Sequence, residues 1–299
     1  MSFLQKLCGV YDAVMGTSGT EGEAPLLPMW MVQREIAINI ILSPSGAFVA
    51  AQRLNEQSFA VPSTPQAESR SSDATPFPLA DSLKYLMSGK HGGYLDAYLA
   101  QLAAWCAAPH APDCLRMLLT YLQKGTLYDD LAADSGFKLQ YSKDASRIAC
   151  FSIEYADEEQ RLWMREDVQS SWRMQFQSLL VETETALCCI TGQRLPLMKK
   201  HPYLQGTSRL ISAKDDAFPM QYKGRFVEDG SAATISIEAS EKVHRALRWL
   251  LAHQRFQKYG MSFVGWNTRA PQLLASADED EEDEKPAPDT LQGYVNALF

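Results

Sequence analysis

The segment at residues 29–54 places the strongest constraint on the fold. It reads MWMVQREIAINIILSPSGAFVAAQRL, which is two apolar runs joined by Ser-Pro-Ser-Gly at residues 43–46. Proline and glycine suit a tight turn, and the β-branched residues in the runs favour extended backbone. The segment therefore predicts two antiparallel strands joined by a short turn.

Much of the remaining chain has the apolar periodicity of helices. This spacing predicts helices near the N-terminus and at residues 79–87, 94–108, 113–125, about 158–180 and about 239–258. The segments FKLQY and RIACFSIEY flank residues 142–146 and predict a second hairpin, and FVGW predicts a closing strand. The expected fold class is α+β, with antiparallel hairpins, small sheets and several packed helices, and without regular βαβ alternation.

Acidic residues near the C-terminus divide the chain. Residues 278–284 are all Asp or Glu, and with Lys285 they carry −6 of the formal net charge of −8. Charged, proline-containing segments are typical of linkers. The sequence therefore predicts an α+β region at residues 1–276 and an acidic linker at residues 277–288.

The six cysteines have no framework spacing, and no secretory segment or membrane-length apolar run precedes or follows them. A cytoplasmic protein with reduced thiols is expected. The sequence also lacks a glycine-rich phosphate loop, a nucleophile elbow and a paired-histidine zinc motif. We therefore predict no catalytic residue, no metal and no cofactor, and we interpret Cys188 and Cys189 as buried, apolar thiols.

The basic residues of the chain are the feature that indicates a function. Residues 194–269 contain thirteen Lys and Arg against six Asp and Glu. Cations contact phosphates and aromatic rings stack on unpaired bases, so this segment and its aromatic residues favour nucleic-acid binding. Solvation of an ordinary surface and, for Lys223 and Arg225, local ion pairing are the alternatives. The candidate phosphate contacts in this segment are Lys199, Lys200, Arg209, Lys214, Lys223 and Arg225.

Two further places supply candidates. In the helix predicted at residues 239–258, Arg245, Arg248 and Arg255 fall within roughly 80° of the helix circumference, on an arc expected to be exposed. Residues 58–76 are rich in Pro, Ser, Gln and Thr and predict a long loop, which either binds a partner or is disordered. Base edges could be read there by Gln66 and Arg70, with Lys84 and Lys90 holding flanking phosphates.

The order of motifs in residues 188–267 resembles one known family. Cys188-x-x-Thr-Gly is followed by a His-Pro turn, a Leu-Ile-Ser segment, Tyr-Lys-Gly-Arg-Phe and finally FVGWN. This order is similar to the large subunit of the type I-C CRISPR effector complex, Cascade, and weaker similarity covers most of the chain. Members of that family are longer, so residues 289–299 are expected to begin a truncated C-terminal helical region.

The resemblance implies a non-catalytic nucleic-acid-binding subunit. Such a subunit contacts the crRNA 5′-handle end and target double-stranded DNA, senses the PAM, and supports recruitment of the helicase-nuclease. Its other partners are the remaining Cascade subunits, and no membrane is involved. Two asparagines that the family often has beside Phe77 and Asp81 are absent, as is one near Lys214. An uncharacterised nuclease or hydrolase, and a protein-binding scaffold with a basic face, are the alternative functions.

Overall fold

The computed structural model of the 299-residue chain describes residues 2–16, 26–70, 75–88, 93–156, 158–181, 185–204, 206, 208–211, 232–253, 255–258 and 261–266. These belong to two compact units. Met29–Thr183 forms one, which we call the central unit. Met1–Pro28 and Glu184–Phe299 form the other, which we call the terminal unit because it contains both ends of the chain.

The helices are α1 (Phe3–Gly16), α2 (Pro65–Glu68), α3 (Leu83–Leu86), α4 (Tyr94–Cys106), α5 (Asp113–Gln123), α6 (Leu127–Ala133), α7 (Tyr141–Asp144), α8 (Glu166–Val181) and α9 (Ile237–His253), with a 3-10 turn at Leu162–Met164. The strands are β1 (Met31–Leu42), β2 (Phe48–Pro62), β3 (Asp81–Ser82), β4 (Ile148–Glu154), β5 (Glu159–Arg161), β6 (Thr185–Leu187), β7 (Arg194–Pro196), β8 (Arg255–Lys258) and β9 (Met261–Val264).

The central unit contains a five-stranded mixed sheet. Its order is β2-β1-β4-β3, with β5 paired to β4. Strands β1 and β2 are antiparallel, which confirms the first predicted hairpin. The Ser43 and Ala47 backbones are joined by a 2.8 Å hydrogen bond across the turn, and Gly46 takes a φ of 75°, a conformation that glycine adopts without strain.

The second predicted hairpin is wrong. Residues 137–140 are not a strand, and the following residues form the short helix α7. Strand β4 instead lies parallel to β1, with Ile38 beside Ala149 and Leu42 beside Ile153. Every residue in 36–42 is buried, as expected for an interior strand whose two faces are both covered.

Helices α4 and α5 lie close to their predicted positions, but α8 begins later than predicted. The residues expected in its first turns form β5 and the 3-10 turn instead. Helices α4 and α8 meet through the indole rings of Trp105 and Trp172, whose centroids are 4.9 Å apart. The Trp105 indole N–H donates to Ser171 Oγ at 2.9 Å, so the polar atom of this buried ring is satisfied.

The prediction of a long loop at residues 58–76 is wrong in two respects. Strand β2 continues to Pro62, and α2 follows almost at once, with Thr64 Oγ1 accepting the Ala67 N–H at 3.0 Å as its N-cap. Residues 63 and 64 are buried, and the Ser63 carbonyl accepts the Trp172 indole N–H at 3.0 Å. The Pro- and Ser-rich composition therefore marks a strand end and a capped turn, held in place by α8.

The terminal unit is built on α1 and α9. Helix α1 buries Leu7, Val10, Tyr11 and Val14, and it packs against α9. The Lys242 ammonium on α9 lies 2.9 Å from the Asp12 carboxylate on α1. Two antiparallel pairs, β6 with β7 and β8 with β9, complete the described part of this unit.

The α+β fold class is confirmed. Within the described residues the strands form mostly antiparallel pairs, and the single parallel pairing of β1 with β4 does not repeat as βαβ units. None of the helices that the structure describes combines the length and apolarity that a membrane crossing requires. The predicted linker at residues 277–288 and the predicted helical start at residues 289–299 lie outside the described residues.

Candidate nucleic-acid interface

A basic turn follows β7 in the terminal unit. We use this name for residues 199–209, of which the structure describes all but 205 and 207. Lys199 and Lys200 are exposed, whereas the next residue, His201, is only 8 % exposed. The turn therefore presents two ammonium groups to solvent directly beside a side chain that is buried in the protein.

The chain enters the basic turn along a fixed path. The Met198 N–H donates to the Ile235 carbonyl at 2.9 Å, and a β-bridge joins Leu197 to Ser236. Both partners lie in the residues that lead directly into α9. These backbone contacts consequently fix the position of the start of the turn relative to the start of this helix.

The side chain of His201 attaches the turn to α9 itself. Its Nδ1 lies 2.8 Å from the hydroxyl oxygen of Ser240, a residue that is fully buried. Burial, followed by electrostatic interactions with His244 and Arg209, lowers the pKa of His201 to about 4. His201 is therefore a neutral anchor at physiological pH.

Arg209 closes the other end of the turn. Its guanidinium lies over the Tyr203 ring, 4.3 Å from the ring centroid, and its Nη1 donates to the His201 carbonyl at 2.8 Å. A guanidinium has five N–H donors, so this bond leaves capacity for a phosphate. Arg248, on α9, donates to the Tyr203 carbonyl. Lys199, Lys200, Arg209 and Arg248, all predicted candidates, are thus brought to one turn and the helix beneath it.

The expectation that Arg245 lies on an exposed arc is wrong. Arg245 is 5 % exposed, and its Nε donates at 2.9 Å to the carboxylate of Glu241, which is 1 % exposed. A guanidinium enclosed with a carboxylate in this way serves the fold rather than a phosphate. Arg255 lies in β8, because α9 ends earlier than predicted. Four other predicted candidates lie outside the described residues: Lys90, Lys214, Lys223 and Arg225.

In the central unit, Arg70 is occupied by a buried carboxylate. Its two terminal nitrogens donate to the two oxygens of Asp81 at 2.7 and 2.6 Å, and Asp81 is fully buried. Arg34 lies 3.7 Å from the same carboxylate. Asp81 also accepts the backbone N–H groups of Phe77 and Ser82 at 2.8 and 2.7 Å. Arg70 is therefore engaged by a partner inside the protein, and base reading by Arg70 stays a prediction.

Arginine and aromatic groups alternate around this carboxylate. The guanidinium of Arg34 lies 3.8 Å from the Phe77 ring centroid, and that of Arg70 lies 4.7 Å from Phe77 and 4.3 Å from Tyr85. Burial lowers the pKa of Arg34 to about 10, although the charge of Asp81 opposes this change. For Arg70, the hydrogen bonds and charge of Asp81 outweigh burial and raise the pKa. Both groups remain charged at neutral pH.

Lys84 and Gln66 are the predicted candidates of the central unit that remain accessible. Lys84 is half-buried, with Nζ 5.7 Å from the Tyr85 ring centroid and 5.9 Å from that of Tyr94. These two tyrosine rings stack at 4.4 Å with an interplanar angle of 6°. Gln66 is exposed and lies at the edge of a cleft of about 290 Å³ whose floor includes Trp105 and Trp172.

Sequence reasoning missed the residues that hold these cations in place. In the sequence, His201 belongs to the basic cluster before Pro202, but no local pattern links it to Ser240, which lies on a different element. The pairing of Arg70 with Asp81 was equally hidden, since the two residues are eleven positions apart in the sequence. A basic residue's availability depends on such distant partners, which periodicity does not report.

Cys188 is buried, as the sequence predicts, whereas the prediction of a buried Cys189 is wrong because this thiol is exposed. Cys188 is fully buried and its sulfur accepts the Ser236 N–H at 3.3 Å. Burial raises the pKa of this thiol, but hydrogen bonds from Thr191 and Ser236 outweigh burial and bring the pKa to about 7. Among the residues that the structure describes, no three His, Cys, Asp or Glu side chains come together in a way that could hold a metal ion.

A comparison with protein families gives one match. The model of the Cas_Csd1 family, described as CRISPR-associated proteins, matches residues 7–298. The match therefore covers both compact units and nearly the whole chain. A search of curated proteins finds no match.

Proposed function

Because the chain belongs to the Cas_Csd1 family of CRISPR-associated proteins, we propose that it is the non-catalytic, nucleic-acid-binding large subunit of a type I-C surveillance complex. The observation that carries the nucleic-acid part of this proposal is the basic turn. Its exposed Lys199 and Lys200 share the turn with Arg209, and His201 attaches the turn to α9. Fixed cations of this kind are suited to a sugar-phosphate backbone.

The aromatic ring within the turn extends what it can bind. Tyr203 is half-buried beneath the guanidinium of Arg209. An aromatic ring beside phosphate-binding cations is a common arrangement in proteins that bind single strands, because every base has a face that can stack. The proposal accordingly includes crRNA, at its 5′-handle end, as well as target double-stranded DNA.

The finer roles in the proposal come from the resemblance of residues 188–267 to the type I-C large subunit. They are PAM sensing, contact with the other Cascade subunits and support for recruitment of the helicase-nuclease. For PAM sensing, the accessible Gln66 and Lys84 are the remaining candidates of the central unit, because Arg70 is engaged by Asp81. Gln pairs with adenine edges in the major groove, whereas Lys supplies a phosphate contact.

The proposal assigns no catalytic step to this chain. Cys188, whose pKa is lowered, and Ser240, which contacts His201, are both fully buried. Nuclease activity that copurifies with the chain and disappears with a point mutation in it would contradict this part of the proposal. Loss of activity on further purification, without a mutation, would be expected of a contaminant.

The test compares two double variants of the full chain. Lys199→Ala with Lys200→Ala removes two cations from the basic turn. Lys6→Ala with Lys143→Ala removes two exposed cations elsewhere, so that net charge is matched. We expect the first pair to lower affinity for labelled duplex DNA and to reduce the log–log salt slope by roughly 1.8, from about 0.9 per lost phosphate contact. On labelled single-stranded RNA the expected reduction is about 0.7 per contact.

The control pair decides the result. We expect Lys6→Ala with Lys143→Ala to leave the slope close to that of the wild-type chain. Equal slopes for the two pairs would show that general charge, and not the basic turn, governs binding. Failure of the wild-type chain to bind either probe at low salt would contradict the proposed function.

A further inference from the structure

We infer that His201 and Ser240 form a positioning pair that holds the basic turn in its nucleic-acid-binding shape; this inference rests on the function proposed above. The role is indirect, since neither side chain reaches solvent to any large extent. The pair acts by fixing the cations that contact the phosphates. It is therefore distinct from the lysines, whose role is direct.

The basic turn needs such a support because its own backbone is weakly braced. None of its described residues belongs to a helix or an extended strand. Its described internal backbone bond joins the Leu204 N–H to the Ser208 carbonyl at 2.8 Å. Ordering a segment of this kind costs about 1–2 kcal/mol per residue, so side-chain attachments must fix its position.

His201 is the junction of these attachments. Its ring binds Ser240 on α9, its carbonyl accepts the Arg209 guanidinium, and its backbone continues directly from Lys200. One residue thus sets the direction of the two lysines before it and anchors the arginine after it. Displacement of the ring from Ser240 would move all three cations together.

The partner of His201 lies on a rigid base. Ser240 is in the first turn of α9, where its N–H donates to the Ser236 carbonyl at 2.9 Å, and its hydroxyl also lies 3.3 Å from His244 Nδ1. The neighbouring Val243 is fully buried. Because His201 stays neutral, its bond to Ser240 adds no charge to the interface. Loss of the bond should therefore weaken binding without changing the number of phosphate contacts.

The experiment uses four variants of the full chain with labelled duplex DNA and labelled single-stranded RNA as probes. Ser240→Ala and His201→Leu remove the bond. His201→Asn keeps a polar atom near the position of Nδ1. Val243→Ala is the control variant. It creates a cavity beside α9 and should lower stability, but it keeps the His201–Ser240 hydrogen bond.

We expect Ser240→Ala and His201→Leu to weaken binding about fivefold, the factor that corresponds to one hydrogen bond of ordinary strength. Their salt slopes should equal that of the wild-type chain, in contrast to the Lys199 and Lys200 variants. His201→Asn should bind more tightly than His201→Leu. Val243→Ala should bind like the wild-type chain at temperatures where all variants are folded.

Each outcome separates this inference from the proposed function. If the wild-type chain binds and the lysine variants lower the slope, but Ser240→Ala binds as tightly as the wild-type chain, the positioning pair is overturned and the function stands. Equal weakening by Ser240→Ala and Val243→Ala at matched stability also overturns it, since general destabilisation then explains the effect. If the wild-type chain binds neither probe, both proposals are overturned.

Discussion

The two compact units use basic residues in opposite ways. In the central unit, Arg34 and Arg70 point inward to the fully buried carboxylate of Asp81. In the terminal unit, Lys199 and Lys200 point outward, and the buried group beside them is the neutral His201. The first arrangement holds a chain segment together, whereas in the second the cations lie at the protein surface.

The difference shows what decides whether a basic side chain can contact a binding partner. A nearby buried carboxylate matters more than the residues that are adjacent to the basic residue in the sequence. A buried carboxylate is costly unless it is paired, so it recruits any arginine within reach. Arg70 and Arg245 both lie beside such a group, Asp81 in one case and Glu241 in the other. Lys199 and Lys200 are exposed, in contrast, and the buried side chain that follows them in the sequence is the neutral His201.

The largest effect is expected from removing the carboxylate of Asp81. Asp81→Ala leaves two half-enclosed guanidinium groups and two backbone N–H donors without their shared acceptor. We expect the free energy of unfolding of the central unit to fall by about 3–5 kcal/mol. Urea unfolding followed by tryptophan fluorescence measures this unit, because four of the six tryptophans lie within it.

Asp113→Ala is the matched control for this prediction. The carboxylate of Asp113 is 97 % exposed and pairs with Arg116 on the surface of α5. Exposed pairs contribute about 1 kcal/mol or less, so the two aspartate variants should differ severalfold in their cost. Similar losses of unfolding free energy in Asp81→Ala and Asp113→Ala would contradict the distinction between the buried and the exposed ion pair.

An intermediate effect is expected from pH. The pKa of His201 is about 4 in the folded chain, below its ordinary value of 6.5, so the unfolded chain binds the proton first as pH falls. Stability from this group is complete above about pH 6.5 and is lost as pH falls toward 4. At pH 4.5 the loss should be roughly 2–3 kcal/mol.

His201→Asn should remove this contribution, because asparagine does not titrate. Hydrogen exchange of peptides from α9, measured at neutral pH and near pH 4.5, reports the stability of the terminal unit separately. We expect the acid-induced increase in exchange to be smaller in the variant than in the wild-type chain. His244 and Arg209 face the same ring and remain in both proteins, so the difference isolates His201. An identical increase would contradict the assignment.

The smallest effect on stability is expected from Gln66. Its side chain is exposed at the edge of the cleft, and Gln66→Ala should change the free energy of unfolding by less than about 0.5 kcal/mol. In an assembled complex, the same variant should narrow the affinity difference between DNA targets with correct and scrambled PAMs. Arg70→Ala should instead lower stability, because Arg70 pairs with Asp81. An unchanged affinity difference in Gln66→Ala would place PAM reading elsewhere.

Local signals in the sequence were sufficient for the first hairpin and for α4 and α5. Residues 43–46 carry the turn chemistry that joins β1 to β2, and Gly125, at the end of α5, takes a φ of 70°. The parallel pairing of β1 with β4 was not predictable in this way. More than one hundred residues separate the two strands, and their contact depends on how the intervening helices pack.

The candidate site was predictable in its residue types but not in their environments. Lys199, Lys200 and Arg209 were predicted from clustering alone, and the structure brings them to one turn. Helical periodicity placed Arg245 on a separate arc from Val243, but α9 is buried on most of its circumference, so both arcs are covered. Where most of a helix is covered, its charge pattern does not identify which side chains reach solvent.

Helices α1 and α9 pack together although they lie far apart in the sequence, and this has a consequence during synthesis on the ribosome. Helix α1 emerges first with an apolar stripe that includes Leu7, Val10 and Val14, but its packing partner α9 is translated more than two hundred residues later. At about 5–20 residues per second, the stripe stays uncovered for roughly 10–45 s. The central unit, being contiguous, is fully translated within this interval. We therefore expect nascent chains stalled before α9 to bind chaperones through α1.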